Sequence, residues 1–435
     1  MRSLAGGRSK VLSSSTSRLP LEHLRAVVLT QAWAGAYTTR LLADMGAEVI
    51  QIEALDRPDP WRGGYPPRLS GTYPDNIPGE RPFDRNAAYN SVNTGKRAIT
   101  LDFNHQEAKD MFFELVGISD IIAENFSARV MPNFGMGFDV LSEVNPSIVM
   151  LRMPSYGCTG PYSAYMGNGG TTEPMSGIAS ALGYPGGPPI NSGFMHTDPY
   201  AGYMACGAII IALHHRARTG KGQVVDLSQQ ETSIGLMAEH VIEYSMSGKV
   251  PARNANADSS MAPHGNYPCD GEDSWVAISV RDDEEWARLC PVMGLPGLAD
   301  NLNYATAAGR IRSASELDAI IARWTLARTA DGVTELLQAQ GIPASPVLKA
   351  RELLGNPHLE EREFFQELDH PDTGKQTYAG VAWRLSKTPG RLLGPSPRLG
   401  QHSGEVLQEL LGLPSSHVQR LVDVGITGDT PNLDD

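Results

Sequence analysis

The sequence predicts an α/β fold that contains parallel β-strands. The main observation is a compact strand–helix–strand unit near the N-terminus. Residues 26–30 form a short apolar run, residues 35–45 have apolar side chains at helical spacing, and residues 47–53 have the pattern of a second strand. A β-α-β unit this short predicts parallel pairing of its strands. A second α/β segment follows residue 263, and 435 residues exceed one ordinary core, so two domains are expected.

The elements beyond the first unit follow from the same kinds of pattern. Residues 54–92 are rich in Pro, Gly and Arg, which predicts a long surface loop, and residues 247–267 have weak periodicity, which predicts a linker. Apolar side chains at helical spacing predict helices at residues 105–117, 229–247, 282–290, 314–328 and 330–339. Short apolar or alternating runs predict strands at residues 119–124, 147–153, 224–228, 275–280 and 376–383.

Composition and charge exclude several classes of function. The formal net charge of −13 argues against a nucleic-acid-binding surface. The longest apolar run, residues 201–213, is shorter than the roughly 20 residues that a membrane-spanning helix needs, so no membrane partner is expected. The cysteines, Cys158, Cys206, Cys269 and Cys290, lack metal-ligand spacing. We therefore expect no metal site, and reduced thiols in a cytoplasmic protein.

The first 19 residues are rich in Ser and Arg, and they contain neither an acidic residue nor an apolar core. They therefore do not have the pattern of a secretory signal peptide. Their composition fits a transit peptide as well as an ordinary disordered tail, and we expect a disordered tail at residues 1–19.

Motifs for several other chemistries are missing from the sequence. It contains no G-x-G-x-x-G, no P-loop motif and no H-E-x-x-H. The basic, glycine-rich Gly220-Lys221-Gly222 follows a predicted helix, and it fits a C-terminal cap better than a phosphate loop.

The most informative segment of the chain contains Asp198. The Gly- and Pro-rich residues 183–189 precede it, Pro199 follows it, and residues 203–213 are almost continuously apolar. Asp-Pro ahead of an apolar run predicts that Asp198 is the N-cap of a buried helix. In the same position, the positive end of the helix dipole would keep a nucleophilic carboxylate ionised. The residue pattern leaves both interpretations open, and they are compatible.

Four blocks of the sequence resemble the family III CoA-transferases. Members of that family include formyl-CoA:oxalate, carnitine and benzylsuccinate CoA-transferases and the related methylacyl-CoA racemases. Each block alone is weak evidence of the resemblance. The four blocks in family order across residues 25–232 are specific evidence of it. The blocks are Ala34–Glu53, Asn93–Asp102, Glu124–Pro161 and Asp198–Gln223.

The resemblance implies a doubly wound, parallel-sheet large domain made from both ends of the chain, a smaller α/β domain between them, and an interlocked, ring-like homodimer. It also implies that acyl-CoA and carboxylic acids are substrates, so that coenzyme A enters as a thioester substrate and no cofactor is tightly bound. The expected division is a disordered tail at 1–19, the first part of the large domain at 20–230, a helix and linker at 231–262, the small domain at 263–342, and a return linker with the rest of the large domain at 343–435.

The resemblance also assigns a CoA site. Trp33 and Ala34 align with a backbone-lined stretch beside the nucleotide, Lys96 aligns with a CoA-contacting lysine, and Asn125 aligns with a CoA-contacting asparagine. Arg97 extends the Lys96 loop. Without the resemblance, Lys96 and Arg97 would be interpreted as a solvated loop.

Two arginines of the family pattern are replaced in this chain. One is Ala54 here, with Arg57 and Arg62 nearby, and the other is Asn133, with Arg129 one turn earlier. We therefore expect the phosphate contacts to be redistributed, with Arg57 and Arg129 as candidates.

The predicted reaction moves CoA from a succinyl-CoA-like donor to a carboxylic acid through an anhydride and then a CoA thioester on Asp198. Backbone N–H groups of a glycine-rich loop at Gly169 and Gly170, or at Gly265, are candidates to stabilise the oxyanions, with a plain turn as the alternative. Two other functions stay open. A racemase is disfavoured because Asn168 replaces the family's proton-transferring His. A non-catalytic subunit of a hetero-oligomer is disfavoured because Asp198 is present.

Overall fold

The computed structural model describes residues 18–63, 72–250 and 252–432. The tail expected at residues 1–19 therefore lies almost entirely outside the described residues. The described chain forms two compact units. The larger contains the residues up to 178, residues 191–242 and the residues from 362 onwards, and the smaller contains residues 179–190 and 243–361.

The larger unit is built on six strands, which are β1 Arg25–Leu29, β2 Glu48–Glu53, β3 Arg97–Thr100, β4 Ile121–Glu124, β5 Val149–Arg152 and β6 Gln223–Asp226. All of them pair in parallel, in the order β3-β2-β1-β4-β5-β6. The predicted mixed α/β fold with a parallel sheet is confirmed. The strand order reverses between β1 and β4, and in open parallel sheets ligands bind at the carboxyl ends of the strands at this point.

Nineteen α-helices are found in the described residues. In chain order they are α1 Ala34–Asp44, α2 Pro82–Arg85, α3 Ala87–Val92, α4 Gln106–Gly117, α5 Val130–Asn133, α6 Phe138–Val144, α7 Gly169–Met175, α8 Ile178–Ala181, α9 Thr197–Thr219, α10 Gln229–Ile234, α11 Ala238–Ser247, α12 Asp283–Val292, α13 Ala307–Arg312, α14 Ala314–Thr325, α15 Ala330–Gln338, α16 Ala350–Leu354, α17 Pro357–Glu361, α18 Ser403–Leu411 and α19 Ser415–Asp423. The single helix expected at residues 229–247 is divided into α10 and α11 by a 3₁₀ turn, Gly235–Met237.

Helices cover both faces of the six-stranded sheet. Helices α4, α6, α18 and α19 pack on one face, where alternate strand residues such as Val27 and Ile50 are fully buried. Helices α1 and α9 pack on the other face, against Ala26 and Val28. Because both faces are covered, the strands are apolar on both sides, as a parallel sheet requires.

Small residues bring α1 and α9 close together. Gly202 of α9 lies so near α1 that a Cβ atom at this position would be 3.1 Å from the Ala34 carbonyl oxygen and 3.2 Å from the Tyr37 ring. Thr38 Oγ1 also donates a hydrogen bond to Gly202 O at 3.3 Å. The start of α9 is therefore held beside the start of α1.

The described part of residues 54–92 is not the surface loop that the composition predicts. It contains a 3₁₀ turn at Pro60–Arg62 and the helices α2 and α3. Arg62 is fully buried, where it pairs with Glu53 at 2.7 Å and Asp84 at 2.9 Å and lies over the Tyr89 ring at 3.7 Å. Burial of an arginine depends on partners that are distant in sequence, so composition could not reveal it.

The smaller unit has a three-stranded antiparallel sheet of β7 His264–Pro268, β8 Trp275–Ser279 and β9 Ala344–Pro346. Helices α12, α14 and α15 pack on it around the buried Trp286. Pairing of β9 with β8 keeps residues 344–346 in this unit, although they have the extended pattern expected of a return linker. In the larger unit, the strand expected at 376–383 is the second strand of a hairpin, β10 Phe365–His370 and β11 Gly374–Ala379.

Three further observations bear on function. All four cysteines are free thiols. Within residues 18–63, 72–250 and 252–432, no cluster of three or more His, Cys, Asp or Glu side chains is arranged to hold a metal ion. In the same part of the chain, none of the helices combines the length and the apolar character needed to cross a bilayer.

Candidate active site

Asp198 lies in the first turn of α9, but it is not the N-cap. His196 occupies the N-cap position, and Asp198 follows Thr197 inside the helix. Asp198 is 8% exposed, and its Oδ1 atom has no hydrogen-bond partner among the described residues. Burial raises the pKa of Asp198 to about 6. The carboxylate is thus not used to cap the helix and is free to react.

The turn that leads into α9 is strained next to Asp198. Met195 adopts a left-handed backbone with φ of 46°, and its carbonyl accepts a hydrogen bond from the Asp198 N–H at 2.9 Å. A non-glycine residue in this region costs of order 1–3 kcal/mol, and such residues cluster at functional sites. The strain therefore supports a functional role for this turn.

Gly169 lies directly against the Asp198 carboxylate. A Cβ atom on Gly169 would be 2.7 Å from Asp198 Oδ1 and 2.7 Å from Met195 Cβ. Gly169 and Gly170 were expected in a glycine-rich loop, but they form the first turn of α7, with Asn168 as its N-cap. The first N–H groups of a helix lack intrahelical acceptors, so donors remain available at this position.

The start of α1 brings together three of the predicted CoA-site residues. Trp33 is the N-cap of α1, and Ala34 is its first residue. The Asn125 side chain accepts a hydrogen bond from Gln31 N at 2.8 Å and donates one to Gln31 O at 2.9 Å. The side chain also lies against Gly35, where a Cβ atom would be 2.6 Å from its Oδ1. Trp33, Ala34 and Asn125 therefore meet at the carboxyl edge of β1 and β4.

A cavity of about 490 Å³ opens at the carboxyl ends of β1 to β4. Arg57 is exposed at this cavity, and Arg129 is exposed at the start of α5, whose Val130 and Met131 line the cavity. Neither arginine side chain has a hydrogen bond or an ion pair within the described part of the chain. Apolar side chains that line the cavity are Leu29, Ile52, Leu101, Phe103, Phe126 and Phe134.

Lys96 does not face solvent, contrary to the expectation that it forms a phosphate-binding loop with Arg97. Its side chain is 4% exposed, and its ammonium donates to Ala36 O at 3.0 Å and Asn93 Oδ1 at 2.7 Å. Burial lowers the pKa of Lys96 to about 7. The ammonium therefore stabilises the packing beneath α1.

Arg97 is half-buried, and its guanidinium group forms ion pairs with three carboxylates. It pairs with Glu48 at 2.8 Å, with Glu405 at 2.6 Å and with Glu409 at 2.9 Å. The last two partners come from α18, about 300 positions later in the sequence, so a local pattern could not indicate them. Arg97 therefore links α18 to the sheet.

Sequence patterns missed Asp59, which shapes the β1–α1 turn. It is buried, and it accepts hydrogen bonds from Ala32 N at 3.0 and 3.1 Å and from Trp61 N at 2.8 Å. Ala32 has a left-handed backbone with φ of 54°. Burial, together with the nearby charge of Glu53, raises the pKa of Asp59 to about 7. The dipeptide Asp59-Pro60 was an available signal, since it repeats the Asp-Pro pattern of Asp198.

A protein-family model described as CoA-transferase family III matches residues 21–403. The chain belongs to CoA-transferase family III. A Chloroflexus aurantiacus relative named succinyl-CoA–D-citramalate CoA-transferase is 34% identical over 410 residues, which are 94% of this chain and 98% of the relative. An Agrobacterium fabrum relative named succinate–glutarate CoA-transferase is 30% identical over 391 residues, or 90% of this chain and 96% of the relative.

A crystal structure of a CAIB/BAIF family protein from Brucella suis has a similar fold. It gives a TM-score of 0.80 at 28% identity, and the match covers 90% of this chain and all of that chain. The predictions of a family III CoA-transferase and of an enzyme that transfers CoA are confirmed.

We expect Gly169→Ala to reduce CoA transfer strongly, because its Cβ atom would displace the Asp198 carboxylate. A misplacement of about 1 Å can cost roughly 10²-fold in rate, and we expect a loss of that order in kcat/KM for the acyl-CoA donor. Thermal unfolding should show that the variant is folded.

Gly170→Ala is the matched comparison. Its Cβ atom would meet only Asn168 Oδ1, at 3.3 Å, and the backbone N–H is retained. The loss should be much smaller than for Gly169→Ala. Equal activities of the two variants would show that the carboxylate position is not set by Gly169.

Proposed function

We propose that this enzyme moves CoA from a succinyl-CoA-like donor to a carboxylic acid acceptor, with Asp198 as the nucleophile. The observation that carries the proposal is the buried Asp198 Oδ1, which has no partner in the described chain and faces Gly169. The names of the relatives above, which include succinyl-CoA, succinate and glutarate, support the class of donor and acceptor.

In the first half of the reaction, the Asp198 carboxylate attacks the thioester carbonyl of the donor. The C–S bond breaks, which leaves a mixed anhydride on Asp198 and CoA thiolate. The thiolate then attacks the aspartyl carbonyl, so that the donor acid departs and an aspartyl-CoA thioester remains.

In the second half, the acceptor carboxylate attacks the aspartyl-CoA thioester and releases CoA thiolate again. The thiolate attacks the acyl carbonyl of the new anhydride, which gives the product acyl-CoA and restores the Asp198 carboxylate. Each step exchanges one activated acyl bond for another, so the sequence of steps balances without ATP.

Backbone donors at the start of α7 would stabilise the oxyanions of these steps. The N–H groups of Gly169 and Gly170 are in the first turn of α7, and Gly169 touches the carboxylate that reacts. Fixed donors at a developing oxyanion typically contribute about 2.7–4 kcal/mol each to catalysis. Asn168 caps this helix and cannot exchange a proton near neutral pH, which disfavours racemase-type chemistry.

The contacts around α1 support a path for CoA from the cavity to Asp198. Phe126 lines the cavity, and the neighbouring Asn125 touches Gly35. Ala34, next to Gly35, touches Gly202, which follows Asp198 by one helical turn. If the nucleotide of CoA lies in the cavity, the pantetheine arm of CoA would pass the start of α1 and reach the carboxylate. Backbone groups of Trp33 and Ala34 would line this path.

In this placement, Arg57 and Arg129 are the cations for the phosphates, and Lys96 and Arg97 are structural. Arg57 and Arg129 are exposed at the cavity or beside it. Lys96 and Arg97 instead bond to other groups of the protein.

We propose that a second copy of the chain covers the outer face of α9 and the start of α11, as an interlocked homodimer would. Large apolar side chains are exposed there, and an uncovered patch of this kind marks an interface. They are Tyr203, Met204, Ile210, Ile211, Val241 and Ile242. Sedimentation equilibrium should give about twice the chain mass of 46.9 kDa, and a stable single-chain mass would refute this part.

Asp198→Asn keeps the size of the side chain but removes the attacking charge, so we expect a folded protein with transfer reduced by several orders of magnitude. In the unmodified enzyme, hydroxylamine should trap the activated acyl group on a peptide that contains Asp198. Near-normal turnover by the variant, with deamidation excluded, would contradict the assignment, as would a label found only on Cys206.

The pH profile checks the same assignment. Only the ionised carboxylate attacks, and burial places the pKa of Asp198 at about 6. The kcat/KM for the donor should therefore fall as the pH decreases through about 6, and it should be retained above that value. A profile that stays flat down to the ordinary aspartate range would indicate that another group reacts.

Arg57→Ala should raise KM for every acyl-CoA donor and leave acceptor KM nearly unchanged, because the phosphates are common to all donors. Loss of one charge-assisted hydrogen bond costs about 1.5–3 kcal/mol, or roughly 10- to 150-fold. A truncated donor such as succinyl-pantetheine lacks the nucleotide and should be unaffected.

The exposed Arg384, whose side chain has no hydrogen bond or ion pair within the described chain, gives a control as Arg384→Ala. If Arg57→Ala weakens the truncated donor as much as succinyl-CoA, Arg57 does not bind the nucleotide phosphates.

A further inference from the structure

Three polar side chains next to Asp198 have no part in the mechanism above. Ser192 N donates to Glu173 Oε1 at 2.5 Å, and Ser192 Oγ lies 2.7 Å from Glu173 Oε2. His196 Nδ1 lies 3.0 Å from Ser192 Oγ and 3.4 Å from Glu173 Oε2. Glu173 is buried, so its carboxylate is a fixed support below the imidazole.

The direction of these hydrogen bonds assigns the protons of His196. An ionised carboxylate only accepts, so the single proton of Ser192 Oγ is donated to Glu173. The same hydroxyl oxygen must then accept from His196, which places a proton on Nδ1. Nε2 is the ring nitrogen that remains for a ligand, and it becomes a second donor when the ring is protonated.

One face of α7 contacts both the Asp198 carboxylate and the Ser192–His196 pair. Gly169, which touches Asp198 Oδ1, and Glu173, which holds the Ser192–His196 pair, are four residues apart on α7 and lie on the same helix face. The two contact points on α7 are therefore about one helical turn apart, roughly 5–6 Å. A chain of four or five carbons spans this distance.

The surroundings of the ring are partly open and apolar. The His196 side chain is 38% exposed, and the adjoining Phe194 and Met195 present apolar side chains to solvent. The charged group that these contacts place at the ring is Glu173 on α7. A largely apolar site with one fixed polar group selects substrates that carry a matching polar group.

We propose that His196 binds the second carboxylate of a dicarboxylic acyl group while Asp198 reacts with the first. This rests on the proposed function, and it names the substrate class: acids of four or five carbons with a carboxylate at each end. Glu173 and Ser192 are positioning residues, because they fix the ring with Nε2 outward. The bond to the substrate is a charge-assisted hydrogen bond from protonated Nε2 to the distal carboxylate.

The test compares two acceptors of equal chain length, glutarate and valerate, with succinyl-CoA as the common donor. In a double-displacement reaction, kcat/KM for the acceptor reports only the half-reaction in which that acceptor takes part. The unmodified enzyme should prefer glutarate. His196→Asn keeps a donor at the Nδ1 position but removes Nε2, and it should lower the glutarate-to-valerate ratio at least about tenfold.

His196→Gln places an amide nitrogen near the position of Nε2, and it should retain more of the preference than His196→Asn. The matched control is His214→Asn, an exposed histidine near the other end of α9, which should leave the ratio unchanged. A fall in both kcat/KM values with an unchanged ratio in His196→Asn would overturn the proposal. So would an unmodified enzyme that shows no preference for glutarate.

A binding measurement separates this inference from the proposed function. In the Asp198→Asn background, which does not require turnover, His196→Asn should weaken succinyl-CoA at least about tenfold more than butyryl-CoA. If the selective loss of succinyl-CoA is observed but no acid accepts CoA, the proposed function fails and the inference stands. Equal weakening of both thioesters would reject the role of His196 whether or not transfer occurs.

Discussion

The close packing of α1 against α9 is the constraint on which the candidate site depends. At Gly202 the two helices approach so closely that no larger residue fits without a shift, and Ala34 is the neighbour across the contact. This contact fixes the start of α9, and with it Asp198, beside the start of α1. Since α1 follows β1 at the point where the strand order reverses, the carboxylate is joined to the carboxyl edge of the sheet, where open parallel sheets generally bind ligands. A carboxylate on a loop would not be held at a fixed distance from the cavity in this way.

Burial controls the electrostatics of this edge. Asp198 has its pKa raised to about 6 by loss of water alone, whereas Asp59, below the β1–α1 turn, reaches about 7 with the help of the Glu53 charge. Burial moves Lys96 in the other direction, also to about 7. A carboxylate with a pKa of about 6 remains mostly ionised at neutral pH. Because it is buried, it is poorly hydrated, so little water would have to be removed before it attacked a thioester in the proposed reaction.

Local patterns predicted a large part of the fold and drew attention to one residue of the candidate site. The strands and helices of the first β-α-β unit follow from periodicity, and Asp198 stands out because Asp-Pro precedes a long apolar run. The exact role in the helix was wrong, since His196 and not Asp198 is the N-cap. The side chains of Glu173 and Ser192 meet across 19 positions of sequence, so no pattern within one turn or strand could join them.

Cations were harder to predict than carboxylates, for a physical reason. Lysine and arginine are usually exposed, so sequence patterns place Lys96, Arg97 and Arg62 in solvated loops, and the family resemblance assigns Lys96 and Arg97 to the CoA site. The structure instead satisfies each with carbonyl or carboxylate oxygens that come from distant segments. The family pattern points to the carboxyl edge of the sheet, but tertiary partners decide which cations are left without a partner there. Of the arginines named from the sequence, Arg57 and Arg129 remain.

The two faces of helix α9 have different surroundings. One face packs small residues such as Gly202 and Ala205 against α1 and the sheet, and this packing holds Asp198 in place. The opposite face exposes Met204 and Ile211, which explains why the sequence is apolar nearly all round the helix although only one side is buried within this chain. In the proposed dimer, a second copy would cover the exposed side. The helix that carries the proposed nucleophile would then be held on both faces, and the position of Asp198 would depend on assembly as well as on the fold of one chain.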